Sequence, residues 1–254
     1  MNAQIKSVNI PVGEEHIAGT MLAPEARMPG FLFVHGWGGN RQRDLARAEK
    51  IAGLGCLCLT FDLRGHENTE SQRRSVRRPD SLADVLAAYD CLAEQRSVDE
   101  SRIGVIGTSY GGYLSALLTG LRPVRWLALR APALYWDEEW ELPKVSLDRD
   151  RLMVYRSSRW TPDDNRALAA CADFGGDVLL IESETDDFVP HPTIMSYRSA
   201  FAATHSLTHR IIEGADHGLS TEKCQKAYSM ILHDWATEMV IGSRIKDPVL
   251  GLER

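Results

Sequence analysis

Basic residues are scarce relative to acidic ones: 29 Lys and Arg stand against 35 Asp and Glu, a formal charge of −6. A nucleic-acid binder carries the opposite excess, so that class is disfavoured. Long apolar runs are missing too. None approaches about 18 residues, and no membrane-spanning helix is expected. The opening MNAQIKSVNIPVGEEH lacks a basic start followed by an apolar stretch, so no secretory leader is expected there. Cysteines number only five, Cys56, Cys58, Cys91, Cys171 and Cys224, scattered and odd in count. They read as small buried hydrophobes and not as metal ligands or a redox pair, which suits a reduced, cytoplasmic protein. Neither a Gly-x-Gly-x-x-Gly nor a P-loop pattern occurs, so no nucleotide cofactor is expected. Repeats and low-complexity stretches are absent.

What is present is an ordinary globular balance, 44% apolar and 25% charged. Its length fits one α/β domain spanning residues 1–254. SVNIPV and HIAGTMLAP flank GEE as a hairpin. Then GFLFVHG, CLCLTFDLRG, RIGVIG, VRWLALRAP, DVLLIES and SLTHRIIEG read as short buried strands. Helical patterns alternate with them, over 41–54, from about Ser81, over Tyr110–Gly120, from about His191 and from about Thr221. This alternation predicts an eight-stranded, mostly parallel sheet flanked by helices, the hairpin supplying an antiparallel edge. Residues 133–162 break the rhythm and read as a short cap insertion after the sixth strand. The tail GSRIKDPVLGLER is compatible with packing on the body, reaching a partner or fraying. The sequence does not fix the oligomeric state.

In such sheets ligands bind beyond the carboxyl ends of the strands. Gly107-Thr108-Ser109-Tyr110-Gly111 sits where the fifth strand gives way to a helix. Glycines two before and two after a serine allow a turn tight enough to push the hydroxyl clear of the backbone. The following helix aims its N–H groups and positive dipole end at the same spot. A serine hydroxyl needs a base, and His217, between the last strand and the last helix, lies on the correct edge. His35, His66 and His191 also follow strands. The base needs a carboxylate, which Glu184, Asp186 or Asp187 can supply after the seventh strand. HGWGGN after the third strand is a glycine-rich turn. The Trp37 and Tyr110 N–H groups form the natural pair of oxyanion donors.

The order serine, acid, histidine is that of the α/β-hydrolases. The sequence resembles that superfamily, of serine esterase type, over nearly its whole length. HGWGG matches the oxyanion loop, FDLRGHENTE an Asp-x-Arg-Gly-His-Gly-x-Ser segment, and GTSYGG the nucleophile elbow. TDDFVP matches the acid loop and GADHG the histidine loop. The resemblance implies Asp186 as the acid, with Asp187 the fallback, and mostly structural roles for Asp62, Arg64 and His66. Glu67 departs from the pattern, since relatives often carry glycine there. The implied reaction is hydrolysis of a small carboxylic ester through an acyl-enzyme on Ser109, with no metal or organic cofactor. The resemblance narrows toward feruloyl or cinnamoyl esterases. A thioesterase, an aminopeptidase-like peptidase, a C–C bond hydrolase and a non-catalytic ligand-binding member stay open. Trp136 and Trp140, with Tyr135, Tyr155 and Trp160, are expected either to line an apolar substrate pocket over the site or to pack onto the sheet edge. Arg73, Arg74, Arg77 and Arg78 read first as a solvated basic loop, with attraction of anionic substrates or pairing with Asp137, Glu138, Glu139 and Glu141 as the alternatives.

Overall fold

A computed structural model describes residues 4–23 and 28–245. β1 (Gln4–Val12) and β2 (Glu15–Ala23) form the hairpin. β3 (Met28–Val34), α1 (Gln42–Ala52), β4 (Leu57–Phe61), α2 (Arg78–Ala93), β5 (Val98–Thr108), α3 (Tyr110–Thr119) and β6 (Trp126–Arg130) follow. After two short helices, α4 (Arg149–Arg156) and α5 (Arg166–Ala172), come β7 (Asp177–Ser183), α6 (His191–Ala200), β8 (Ser206–Ile212) and α7 (Glu222–Ile245). Residues 246–254 of the tail lie outside the described residues.

The sheet runs β1-β2-β4-β3-β5-β6-β7-β8, parallel from β4 through β8 and antiparallel at β1 and β2. Every residue of β3, β4, β6 and β7 is buried, as expected when helices cover both faces. Successive residues alternate between the two cores. Leu32 and Val34 face the cluster shared with α2, α3, α5 and α6, whereas Phe31 and Phe33 face the one shared with α1 and α7. Among the described residues no helix is long and apolar enough to cross a membrane.

The chain steps from β3 outward to β4, then returns to place β5 on the other side of β3. Loops leaving β3 and β5 therefore diverge at a topological switch point, where a crevice opens. Register brings Val34 beside Gly107, Thr108 beside Arg130 and Arg130 beside Ile181, so these strands end at one edge.

Local departures from the sequence reading have physical causes. α2 begins three residues before Ser81, because Pro79 presets the first turn and Asp80 bonds back to the Arg77 N–H. Arg78, expected in solvent, is wholly buried and donates to the carbonyls of Trp136 and Glu138. Within 133–162 lies the unexpected helix α4, whose only buried side chains are Leu152 and Arg156. Such a helix has almost no apolar stripe to read. Ala133, Leu134, Tyr135 and Trp136, at the start of this segment, join the main core.

Candidate active site

Ser109 links β5 to α3 with φ 53° and ψ −115°, a conformation that costs an L-residue on the order of 1–3 kcal/mol. Three backbone hydrogen bonds hold it there: Ser109 N–H to Arg130 O (2.9 Å), Tyr113 N–H to Ser109 O (3.1 Å) and Ala133 N–H to Ser109 O (2.9 Å). The flanking glycines are required by contact. A Cβ on Gly111 would lie 2.1 Å from the Val34 carbonyl oxygen, and one on Gly107 2.4 Å from Ser115 Oγ. Helix α3 thus presses directly onto the strands and lifts the hydroxyl above them.

Ser109 Oγ lies 2.9 Å from His217 Nε2, and His217 Nδ1 lies 2.7 Å from Asp186 Oδ2. A ring carrying its hydrogen on Nδ1 satisfies both contacts: Nδ1–H donates to the carboxylate and Nε2 accepts from the hydroxyl. The other Asp186 oxygen accepts the N–H groups of Phe188 and Val189, both at 2.8 Å. The acid and histidine loops are tied together, since Thr185 N–H donates to the Ala215 carbonyl at 2.8 Å. Asp187 is exposed and makes no such contact, and Glu184 turns away to accept the Gly214 N–H at 2.7 Å.

The loop after β3 abuts the serine closely enough that a Cβ on Gly36 would sit 3.1 Å from Ser109 Cβ. Among the described residues neither the Trp37 nor the Tyr110 N–H donates to a protein acceptor. Two buried histidines brace this loop. His35 Nε2 accepts the Leu63 N–H (3.0 Å) while its Nδ1–H donates to the Gly36 carbonyl (2.8 Å). His66 Nε2 accepts the Gly38 N–H at 2.9 Å. Burial pushes both rings down to a pKa of about 4, so each stands neutral, as these bonds demand. Asp62 holds Arg41, and Arg64 is paired with Asp84 at 2.6 Å. All of these contacts brace the loops from behind.

Glu67 sits at φ 46° and accepts a 2.7 Å bond from the Asn40 side chain. Glycine removes left-handed strain of about 1 kcal/mol but loses an exposed bond of about half that. Glu67→Gly is therefore expected to stabilise the fold by a few tenths of a kcal/mol, read as a higher urea midpoint. A clear loss of stability would mean the Asn40 bond outweighs the strain.

The expected pocket residues are placed elsewhere. Trp136 is buried in the core, bonded to Glu139 and covered by Arg151. Trp140 is held between Arg78 and Arg166. Neither lines the cavity beside Ser109. Large apolar side chains need cover, and here the arginines of α2, α4 and α5 provide it. The apolar side chains near the triad are instead Trp37 and Leu219, which line that cavity, and Phe188, 61% exposed with its ring 5.3 Å from that of His217. Arg73 and Lys144 lie over the Trp37 ring, at 5.3 and 4.8 Å. Arg130 also went unread, although a lone arginine ending the apolar strand WLALR was a visible signal. Among the described residues no three His, Cys, Asp or Glu side chains converge as metal ligands.

Known proteins share this architecture. An uncharacterized protein of Mycobacterium tuberculosis is 29% identical over 192 residues, which is 74% of this chain and 63% of that protein. The chain thus spans somewhat under two thirds of the length of the first curated relatives it matches. The dienelactone hydrolase of Anabaena variabilis superposes with a TM-score of 0.68 at 20% identity, covering 92% of this chain and 97% of that one. Est1E of Butyrivibrio proteoclasticus, solved with ferulic acid bound, reaches 0.71 at 15% identity, covering 92% and 99%. Residues 45–242 match the model of the prolyl oligopeptidase family, and the chain belongs to that family, within the α/β-hydrolase serine hydrolases.

Proposed function

We propose that the protein hydrolyses a small-molecule carboxylic ester through an acyl-enzyme on Ser109. The observation that carries this reading is the unbroken hydrogen-bonded chain Ser109–His217–Asp186, at 2.9 and 2.7 Å. In this reading His217 takes the Ser109 proton as Oγ attacks the carbonyl, and Asp186 holds the ring's orientation and balances its developing charge. The Trp37 and Tyr110 N–H groups receive the oxyanion. Having no protein acceptor to give up, they would need little reorganisation. His217 then returns its proton to the departing alkoxide, and a water deprotonated by the same ring releases the acid. Trp37 and Phe188 offer the substrate its apolar contacts.

Mixing the enzyme with p-nitrophenyl acetate should give a burst of p-nitrophenol close to one per active site. A fluorophosphonate should label Ser109, located by mass spectrometry of the peptide. Absence of both burst and label would overturn the proposal. The family match favours a second reading, peptide-bond cleavage. Turnover of aminoacyl p-nitroanilides at rates matching the esters would favour it.

A further inference from the structure

A cavity of about 610 Å³ opens beside Ser109 and His217, between the start of α1, the end of β6 and α7. Its wall sets three guanidinium groups, Arg43, Arg47 and Arg130, against one carboxylate, Asp44. Arg130 is only 6% exposed. It donates to the His217 carbonyl at 2.6 Å and to Ser183 Oγ at 3.4 Å, but its Nε is buried without a partner. Asp186 and Asp44 act on it only from a distance, neither forming an ion pair with it. Arg47 reaches the Asp44 carboxylate and the Arg43 carbonyl, both at 3.0 Å, and its own Nε is likewise buried and unpartnered. The Tyr228 hydroxyl, on a residue 2% exposed, is buried against the Thr108 side chain and makes no close hydrogen bond among the described residues.

The three side chains that carry these donors line one space, and that space adjoins the candidate nucleophile. A buried cation without a counter-charge carries a heavy desolvation penalty, which a bound anion offsets. Guanidinium groups match the two oxygens of a carboxylate in both spacing and plane. We propose that the cavity binds a carboxylate carried by the substrate, so that the ester cleaved is one bearing a second, free acid group, such as the half-ester of a dicarboxylic acid. Arg130 and Arg47 grip the carboxylate, Tyr228 donates a third hydrogen bond, and the exposed Arg43 draws the anion in from the mouth. This rests on the ester-hydrolase reading.

Two measurements test the two claims separately. Ser109→Ala protein is titrated calorimetrically with glutarate, with its neutral diamide glutaramide and with inorganic phosphate. Glutarate should bind at least tenfold more tightly than the diamide, and more weakly as salt rises. Adding Tyr228→Phe or Arg47→Met should each cut that affinity about tenfold. Tyr228→Phe removes one oxygen and leaves the ring packing, which keeps the test valid if Arg47→Met disturbs Asp44. In the active enzyme, mono-p-nitrophenyl glutarate should exceed its methyl ester in kcat/KM by tenfold or more, and Arg47→Met should collapse that ratio. Glutarate binding no tighter than the diamide, or binding of phosphate alone, overturns the carboxylate site even if both esters are cleaved. Glutarate binding in a protein that cleaves neither ester supports the anion site and sinks the hydrolase reading instead.

Discussion

Asp186→Asn is expected to lower kcat for p-nitrophenyl acetate by about three to four orders of magnitude, and Asp187→Asn by less than about twofold. The two substitutions are chemically identical and one residue apart, so the difference lies in hydrogen bonding. One Asp186 oxygen accepts two backbone N–H groups, from Phe188 and Val189, and the other accepts His217 Nδ1–H. An asparagine must keep its oxygen toward the two backbone donors, since its NH2 there would set donor against donor. That arrangement turns the NH2 toward Nδ1, which must then accept. The ring's hydrogen moves to Nε2, facing Ser109 Oγ, and the base is gone. Asp187 is exposed, and among the described residues its side chain has no hydrogen bond to lose. Melting temperatures of the two variants should show that both fold, and pre-steady-state rates should show the loss in acylation. Equal losses in both variants would refute the assignment of roles.

Much of the fold is legible because buried parallel strands and their helices repeat one pattern. GFLFV, CLCLTF and DVLLIES are apolar on both faces, and only a sheet covered on both sides needs that. α4 was invisible because it hides one leucine and one arginine, and its other side chains look like those of a loop. The neighbourhood of Ser109 was legible where backbone sterics leave no alternative. Gly111 has the Val34 carbonyl where its Cβ would be, so glycine was forced and the spacing survived as a motif. The pocket was not legible, because hydrophobicity is a scalar and says nothing of direction. Trp136 and Trp140 need cover, and any surface that excludes water satisfies them. Arg78 defeats the opposite rule. A charge-rich stretch predicts solvent, yet this guanidinium finds backbone carbonyls inside the protein. Whether an arginine is inside or outside depends on acceptors contributed by residues some 60 positions away, which no local window contains.

Replacing His66 is expected to flatten the protein's stability between pH 7 and pH 4.5. Burial lowers the His66 and His35 pKa values from 6.5 to about 4. Between those values the unfolded chain binds protons that the native rings refuse. Their contribution is therefore complete above about pH 6.5 and drains away as pH falls toward 4. For one ring the full swing is about 3 kcal/mol, at about 1.4 kcal/mol per unit. The two do not simply add, because part of the His66 lowering comes from His35. Asp84 opposes them over the same window. Its folded pKa is raised by burial to about 6, so its unfavourable contribution fades as pH falls. Wild-type stability alone thus mixes opposing slopes, and the informative quantity is the difference between wild type and His66→Gln. A glutamine can accept the Gly38 N–H through its oxygen and donate to the Leu63 or Arg64 carbonyl, yet it does not titrate. Urea unfolding at pH 7 and pH 4.5 should show wild type losing on the order of 2 kcal/mol more than the variant. Any turnover of p-nitrophenyl acetate should follow, because a protonated His66 cannot accept from Gly38 and the turn carrying Trp37 loses its brace. If the two proteins lose stability in parallel, the ring is protonated in the native state near its ordinary pKa, and the loop is held by something other than a neutral imidazole.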